Sequence, residues 1–256
     1  MIAALMIGRD GSTGFPGKNI YPVLGRPMMV YPLLAARHSK YVDQIYVSTD
    51  SERIKRLARE HGATIINRPP ELATKEALGE DVYAHGYRYI TNELNKDVEI
   101  VVLLFCNAPT ITSATIDEGI EQLRKNPDLD SAVTVSTYNM WSPLRARRAD
   151  SQGLLQPFVP FETFGDPATL NCDRDSQGDV FFADMSVSIV RPRCLADLKY
   201  GLLPQRWMGQ KIFPLKQWGG CDVDYEWQIP QVEFWLAKHG FTGSTTPYGD
   251  LKSVHS

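Results

Sequence analysis

The chain has 256 residues, a formal net charge of −3 and an isoelectric point near 6.0, so it can bury a large core without help from disulfides or metals. The balanced charge argues against a general nucleic-acid binder, which would carry a strong basic excess. The four cysteines lack the spacing of a metal site or a disulfide framework, and no apolar run is long enough to cross a membrane, which predicts a reduced, cytoplasmic chain.

Short apolar runs alternate with segments of helical periodicity along the first half of the chain. The runs are rich in Val, Ile and Leu without regular alternation, which is typical of strands buried on both faces. We predict strands at Ile2–Ile7, Gln44–Ser48, Thr64–Asn67, Glu99–Phe105 and Ser131–Ser136. We predict helices at Met28–His38, Ser51–His61, Glu76–Asn95 and Ser113–Lys125, the first opened by Pro27. Alternating β and α units predict an α/β fold with an open, mostly parallel sheet.

The alternation is interrupted over residues 138–178, where prolines, aromatic residues and arginines concentrate. We interpret this segment as an insertion of irregular loops with short strands, one of them near Leu154–Phe161. The regular pattern then returns, with predicted strands at Val180–Val190 and Lys211–Leu215 and a closing helix at Glu226–His239. Residues 241–256 have no periodicity and are predicted to form a mobile tail.

Several polar segments directly follow predicted strands. They are Arg9–Asn19, Asp50, Phe105–Pro109 and Thr137, and Asp50 is also the expected N-cap of the second helix. Ligands of open α/β sheets bind outside the carboxyl ends of the strands. We therefore expect these segments to share one edge of the sheet.

The segment at residues 8–19 follows the first strand and reads Gly-Arg-Asp-Gly-Ser-Thr-Gly-Phe-Pro-Gly-Lys-Asn. It matches neither the Walker A pattern nor the dinucleotide fingerprint. Glycines let the backbone approach an anion closely, and neighbouring N–H groups can form an anion nest. Arg9 and Lys18 would neutralise a triphosphate and stabilise a leaving pyrophosphate. A glycine-rich turn after a strand is often only a turn, so the loop alone leaves phosphate binding open.

Asp222 and Asp224 are two residues apart near the end of the chain. In an extended segment, residues at this spacing point to the same face. Two carboxylates on one face suit Mg²⁺, which takes oxygen ligands and keeps several waters. The alternative is a polar turn before a helix, with Asp224 as its N-cap.

Six stretches in chain order resemble the cytidylyltransferases that activate acylneuraminate and related sugar acids. They are Arg9–Asn19, Tyr-Val-Ser-Thr-Asp at 46–50, Arg-Pro-Pro-Glu-Leu-Ala at 68–73, Leu-Leu-Phe-Cys-Asn-Ala-Pro at 103–109, Asp-Arg-Asp at 173–175 and Cys-Asp-Val-Asp at 221–224. The first loop and the Asp-x-Asp segment are the most specific of these. The resemblance covers about residues 1–240.

The resemblance implies a three-layer, Rossmann-like nucleotidyltransferase fold over residues 1–240, with the insertion as a small dimerisation element of a homodimer. It implies transfer of CMP from CTP to an anionic acceptor, a sialic-acid-like sugar acid, with release of pyrophosphate. Mg²⁺ would be held by Asp222 and Asp224. No membrane or nucleic-acid partner is expected.

By the same resemblance, further residues acquire roles. Arg9 and Lys18 would be catalytic. The nucleotide would contact Gly11, Ser12, Asn19, Arg68 and Asn107, the last of which stands where the family has threonine. The acceptor would contact Arg145, Arg174 and Asp184, although both arginines could instead be exposed or at a dimer interface.

The acceptor side departs from the family pattern. Phe105 replaces a glutamine, Cys106 a proline and Asp184 an asparagine. An aspartate facing the acceptor would favour a cation there, which raises the hypothesis of an amine-bearing acceptor such as an aminoalkylphosphonate. Two further hypotheses stay open: a sugar-1-phosphate or cofactor nucleotidyltransferase that prefers another nucleotide, and a non-catalytic nucleotide-binding or regulatory protein. Retention of Arg9 and Lys18 together with the pair Asp222 and Asp224 argues against the last, because a pure binding module has no need for a metal pair.

Overall fold

The structure, a computed structural model, describes residues 1–11 and 14–249. Its strands are β1 (Ile2–Ile7), β2 (Pro22–Val23), β3 (Arg26–Pro27), β4 (Gln44–Thr49), β5 (Thr64–Asn67), β6 (Ile100–Phe105), β7 (Ser131–Thr137), β8 (Arg147–Ala149), β9 (Leu155–Pro157), β10 (Phe181–Val190) and β11 (Ile212–Gln217). Its α-helices are α1 (Val30–Arg37), α2 (Glu52–Glu60), α3 (Gly79–Arg88), α4 (Ser113–Lys125), α5 (Pro192–Ala196) and α6 (Ile229–Lys238).

Seven strands form a central sheet in the order β11-β7-β10-β6-β1-β4-β5. β10 is antiparallel to both of its neighbours, and the remaining pairs are parallel. Helices pack on both faces of the sheet. The prediction of an α/β fold with a mostly parallel sheet is therefore confirmed.

Strand β1 explains why the apolar runs show no alternation. Ile2, Ala4 and Met6 face the core formed with α1, α2 and α4. Ala3 and Leu5 face the opposite core, which includes Tyr83 of α3. Successive side chains of a strand point to opposite faces, so a strand covered on both faces must be apolar at every position.

Helices α1, α2, α3 and α6 begin one to three residues after their predicted starts. Helix α2 is capped by Ser51, whose hydroxyl accepts from the Ile54 N–H, because Ser51 is the last extended residue before the helix. Asp50 instead accepts from the backbone N–H of Asp10 and so contacts the loop after β1. Pro27 pairs with Pro22 in a two-stranded ribbon, and α1 begins only at Val30.

The insertion lies between β7 and β10. It contains the antiparallel ribbon of β8 and β9 and several single turns of 3₁₀-helix. Of the strand predicted near Leu154–Phe161, only Leu155–Pro157 is extended into a ladder. Strand β10 carries a bulge between Ala183 and Ser188, where Met185 has a φ of 63°.

Residues 241–249, within the segment for which the sequence predicts a mobile tail, pack against the helical layer. Phe241 is buried and lies edge-on to Tyr31 of α1. The Tyr248 ring stacks on His38 with a centroid distance of 4.6 Å. The packed core thus extends past residue 240, whereas the rest of that segment lies outside the described residues. No helix in the described ranges is long and apolar enough to cross a bilayer.

Candidate active site

A cavity of about 420 Å³ opens at the carboxyl edge of the sheet, where β1, β5 and β6 end. Its lining is Ile7, Gly8, Arg9, Gly14, Lys18, Asn19, Arg68, Leu72, Ala77, Gly79, Val82, Phe105, Asn107, Asp224 and Tyr225. Five basic or amide side chains and one acid that the sequence singled out for ligand binding therefore meet here. The cavity thus lies at the sheet edge where the polar segments that follow the strands were expected to meet.

The loop after β1 is fixed by its two ends. At Gly8, an added Cβ would lie 2.4 Å from the Cys106 Sγ, so only glycine lets the loop leave β1 directly against the end of β6. Asn19 Nδ2 donates to the Arg9 carbonyl at 3.0 Å and ties the far end of the loop back to its start. Gly11 is exposed, has a φ of 77° and accepts a hydrogen bond from Arg9. Ser12 lies outside the described residues.

Lys18 joins the loop to the Asp-x-Asp segment 206 residues further along the chain. Its Nζ lies 2.5 Å from Asp224 Oδ1. The Lys18 side chain is only 13% exposed, while Asp224 is largely open to solvent. The loop cation and the acidic segment therefore form one electrostatic unit at the cavity wall.

Arg68 is the most buried cation of the cavity, at 8% exposure. One guanidinium nitrogen donates to the Ser48 carbonyl at 2.6 Å, but the Nε is buried without a hydrogen-bond partner among the described residues. Burial lowers the pKa of Arg68, since the charged form is desolvated. A buried N–H without a partner is costly, so this donor is well suited to a ligand oxygen.

One end of the cavity is apolar. Phe105, Val82, Leu72 and Ile7 line it together with Gly79. The Phe105 ring is held edge-on by Tyr83 and Trp207 in the layer behind, with centroid distances of 5.4 and 6.3 Å. Apolar walls beside a buried guanidinium suit a flat heterocycle that carries carbonyl oxygens.

The Asp-x-Asp segment is anchored by the residue between the two acids. Val223 is fully buried, its N–H donates to the Asn107 carbonyl at 2.8 Å, and its carbonyl accepts from Asn107 Nδ2 at 3.0 Å. Asn107 thus holds the segment through backbone and side chain. Val223 points into the core between the two acids. Asp224 lines the cavity, whereas Asp222 is not among the lining side chains.

The chemistry of this acid pair fits a divalent cation. Burial, followed by the neighbouring charge of Asp224, raises the pKa of Asp222 to about 6, with Lys18 acting in the opposite direction. A bound cation would relieve this repulsion. Two carboxylates leave most positions of an octahedral ion for water and phosphate oxygens, as Mg²⁺ prefers. In residues 1–11 and 14–249, this site included, no three His, Cys, Asp or Glu side chains group as metal ligands.

The two arginines predicted to bind the acceptor lie away from this cavity. Arg145 donates to the Cys172 carbonyl and lines a separate cavity of about 580 Å³ within the insertion. Arg174 is exposed and pairs with Asp175 at 3.2 Å. In a single copy of the chain, neither reaches the Lys18 cavity.

Asp184 is 5% exposed and also does not line the cavity. Its carboxylate accepts from Ser136 Oγ at 2.7 Å, from Gln217 Nε2 at 2.9 Å and from the Ser186 N–H at 3.2 Å. These protein donors therefore occupy the carboxylate oxygens that were predicted to contact the acceptor substrate. The amine-bearing acceptor inferred from Asp184 thereby loses its structural basis.

A family model described as a cytidylyltransferase matches residues 3–197, which is more than half of the chain. The chain belongs to the cytidylyltransferase family. Three curated relatives illustrate the similarity. N-acylneuraminate cytidylyltransferase of Oncorhynchus mykiss is 32% identical over 124 residues, 48% of this chain and 28% of the relative. The pseudaminic acid cytidylyltransferase and hydrolase of Helicobacter pylori is 31% identical over 145 residues, 56% of this chain and 27% of the relative. The 8-amino-3,8-dideoxy-manno-octulosonate cytidylyltransferase of Shewanella woodyi is 30% identical over 134 residues, 52% of each chain. The aligned segments thus span about half or less of these relatives.

Solved cytidylyltransferases share the fold. CMP:2-keto-3-deoxy-manno-octonic acid synthetase complexed with CTP superposes with a TM-score of 0.63 at 15% identity, covering 93% of this chain and 98% of that one. 4-Diphosphocytidyl-2C-methyl-D-erythritol synthase from Anaerococcus prevotii gives 0.56 at 15% identity, covering 92% and 96%. At this identity the likeness establishes the three-layer nucleotidyltransferase fold alone.

Some lining residues of this cytidylyltransferase cavity were not predicted from the sequence. Ala77, Gly79 and Val82 surround the start of α3, and Tyr225 follows the acid pair. The Arg-Pro-Pro-Glu-Leu-Ala stretch was a signal for this wall, because its Leu72 lines the cavity together with Arg68. Small and apolar side chains carry little chemical signature by themselves, so only the fold identifies them as lining.

Proposed function

We propose that this chain transfers CMP from CTP to an anionic sugar acid and releases pyrophosphate. The observation that carries the proposal is the contact between Lys18 and Asp224. It brings the glycine-rich loop and Asp224, one member of the acid pair, to one cavity, and a basic loop beside an acidic segment is the combination that nucleotidyl transfer needs. A simple nucleotide-binding module would need the loop but not the acid pair.

The donor nucleotide can be oriented by residues that already line the cavity. Arg9 and Lys18 hold the β- and γ-phosphates and offset the charge that develops on pyrophosphate. Asn19 keeps the loop in shape through its bond to the Arg9 carbonyl. The free Nε of Arg68 donates to an oxygen of the base or ribose, next to the apolar wall that contains Phe105.

The chemical step is an in-line displacement at the α-phosphorus. An acceptor oxygen forms a bond to that phosphorus, the bond to the bridging oxygen breaks, and pyrophosphate leaves with the electron pair. Mg²⁺, when bound by Asp222 and Asp224, supplies neutralisation of the phosphate charge. Catalysis of this kind rests on positioning and electrostatics, so the fixed loop and the anchored acid segment are the relevant features.

The names of the similar proteins favour a sugar acid over a phosphonate as acceptor, since the cited relatives act on acylneuraminate, pseudaminic acid and an amino-octulosonate. The direct test is a pyrophosphate-release screen with CTP and Mg²⁺ across sugar acids and alkylphosphonates, with ATP, GTP and UTP as controls. We expect turnover only with CTP and a sugar acid. Turnover only with phosphonates would replace the acceptor class, and failure of every acceptor to support turnover would favour a non-catalytic binding protein.

The insertion is the proposed dimer contact. Trp141, Leu155 and Phe158 are exposed on it within a single copy of the chain. Exposed large apolar side chains that cluster on one element mark an interaction surface. A second copy would also bring its Arg145 or Arg174 towards a cavity that neither reaches alone, so dimerisation is part of the proposed function.

A further inference from the structure

The backbone of residues 220–223 is held from below by side chains of the sheet edge. The Gly220 N–H donates to Ser136 Oγ at 3.0 Å, and the Gly220 carbonyl accepts from the Tyr138 hydroxyl at 3.1 Å. The Cys221 N–H donates to Thr110 Oγ1 at 3.0 Å. Together with the two hydrogen bonds between Asn107 and Val223, these bonds fix the main chain that carries Asp222 and Asp224.

Asp184 lies at the base of this arrangement. Its Oδ2 accepts from the Ser136 hydroxyl, which in turn accepts from the Gly220 N–H, so one hydrogen-bonded chain links the buried carboxylate to the segment. Gln217 Nε2 bonds to the same Oδ2 and lies 3.3 Å from the Thr110 carbonyl. Both anchors of the segment, Ser136 and Thr110, are thus connected to Asp184.

The carboxylate also sets how closely the segment can approach. A Cβ added at Gly220 would lie 2.3 Å from Asp184 Oδ2, so the main chain rests directly on the carboxylate. A charged group buried at 5% exposure is expensive unless its hydrogen bonds are satisfied, and here three donors satisfy it. One of these donors, Ser136, also accepts the Gly220 N–H, so the hydrogen bonds that stabilise the buried carboxylate also position Gly220.

We propose that Asp184 is a positioning residue for the cation site of Asp222 and Asp224. This inference rests on the proposed function, because it assumes that the acid pair binds a divalent cation. Asp184 does not line the cavity, so its role is indirect. It holds Ser136 and Gln217, which hold the segment, and its negative charge adds to the field that attracts a cation. Groups that orient metal ligands in this way commonly change metal affinity by roughly 10–100-fold when replaced.

The variant Asp184→Asn tests this role without a change in side-chain size. Whichever way the amide is placed, its NH₂ group meets a donor, either Gln217 Nε2 or the Ser186 N–H. Rotation of the Gln217 amide would cure one clash but would end its donation to the Thr110 carbonyl. The substitution therefore removes a charge and loosens at least one anchor.

Asp117→Asn is the matched control. Asp117 lies on α4, is 6% exposed, and accepts from Ser39 Oγ at 2.6 Å and from the Lys40 N–H at 3.0 Å. It thus loses a buried, hydrogen-bonded carboxylate away from the candidate active site. A general loss of stability would affect both variants, while a positioning role affects only Asp184→Asn.

The decisive measurement is the affinity of the full chain for Mn²⁺ in the absence of CTP, monitored by electron paramagnetic resonance. We expect Asp184→Asn to weaken Mn²⁺ binding roughly 10-fold or more, and Asp117→Asn to bind like the parent. Ser136→Ala, which breaks the link to Gly220 but keeps the carboxylate, should weaken binding in the same direction and serves if Asp184→Asn does not fold.

The outcomes separate the two levels of the proposal. Loss of Mn²⁺ binding in Asp222→Asn, with parental affinity in Asp184→Asn or in folded Ser136→Ala, would overturn the positioning role and leave the proposed function intact. Absence of Mn²⁺ binding in the parent chain, or parental binding in Asp222→Asn, would overturn the cation site itself and the positioning role with it.

Discussion

Replacing Lys18 by alanine removes the cation that connects the loop after β1 to Asp224. The ammonium group is largely buried, so its field is only weakly screened, and two unit charges about 4 Å apart interact by about 4 kcal/mol at an effective dielectric constant near 20. Removal of one preorganised charge-stabilising donor typically costs about 3–4 kcal/mol, or roughly 10²–10³ in kcat. We expect a kcat loss of that size for Lys18→Ala with CTP saturating.

Lys55→Ala is the control for this experiment. Lys55 has the same 13% side-chain exposure and pairs with Glu52 at 2.7 Å, but it lies on α2 and does not line the cavity. Because Asp224 is more than half exposed, loss of its ion pair should cost at most about 1 kcal/mol of unfolding free energy. Pyrophosphate release should therefore fall only in Lys18→Ala, with both variants melting near the parent. A Lys18→Ala enzyme that keeps about a third of the parental kcat would refute the assignment.

The remaining predictions concern the base end of the cavity, the insertion and the pH dependence of folding. Arg68→Met should weaken CTP binding roughly 10–100-fold in calorimetry, because a charge-assisted hydrogen bond to the nucleotide is lost. The melting temperature should not fall, because the substitution also removes a desolvated charge. Unchanged affinity would place the nucleotide elsewhere. Trp141→Glu should shift the mass in light scattering from dimer to monomer, and a parental mass would exclude this surface as the contact. Burial and the nearby Arg37 lower the pKa of His38, so the unfolded chain takes up the proton first and unfolding free energy falls as pH drops below the ordinary histidine value. His38→Phe keeps the stack on Tyr248 and should make that slope shallower in urea titrations at pH 7 and 5, while His61 and His85, whose pKa values burial also lowers, keep the remainder; an unchanged slope would contradict the role of His38.

Elements defined by local chemistry were predictable from the sequence. The bounds of β1 and α4 agree with prediction, because a short apolar run and a capped amphipathic segment each carry their own signals. The packing of residues 241–249 was not predictable, since the stack of Tyr248 on His38 joins residues far apart in sequence. The direction of β10 was also out of reach, because pairing partners are not encoded in the strand itself.

In the candidate site, too, some residues were predictable from local sequence and others were not. Arg9 and Lys18 lie in the loop after β1, so the rule that strand ends share an edge predicted their place. Arg68 was assigned to the site by family resemblance. The spacing of Asp222 and Asp224 left a polar turn open as the alternative, and the family resemblance favoured the acid pair. Asp184 did not follow from any local rule, and the sequence placed it against the acceptor, whereas the structure buries it beneath the acid segment.

The antiparallel course of β10 explains why Asp184 can reach that segment. In a purely parallel sheet, the carboxyl edge receives only residues that follow strands. Because β10 runs in the opposite direction, its amino end arrives at this edge, with Phe182 opposite Ser136 of β7. Gln217, at the end of β11, is opposite the same Ser136 from the other side. The two pairings bring Asp184, Ser136 and Gln217 together under Gly220. The one reversed strand of this sheet thus adds a buried carboxylate to the support that Thr110 and Asn107 give the acid segment.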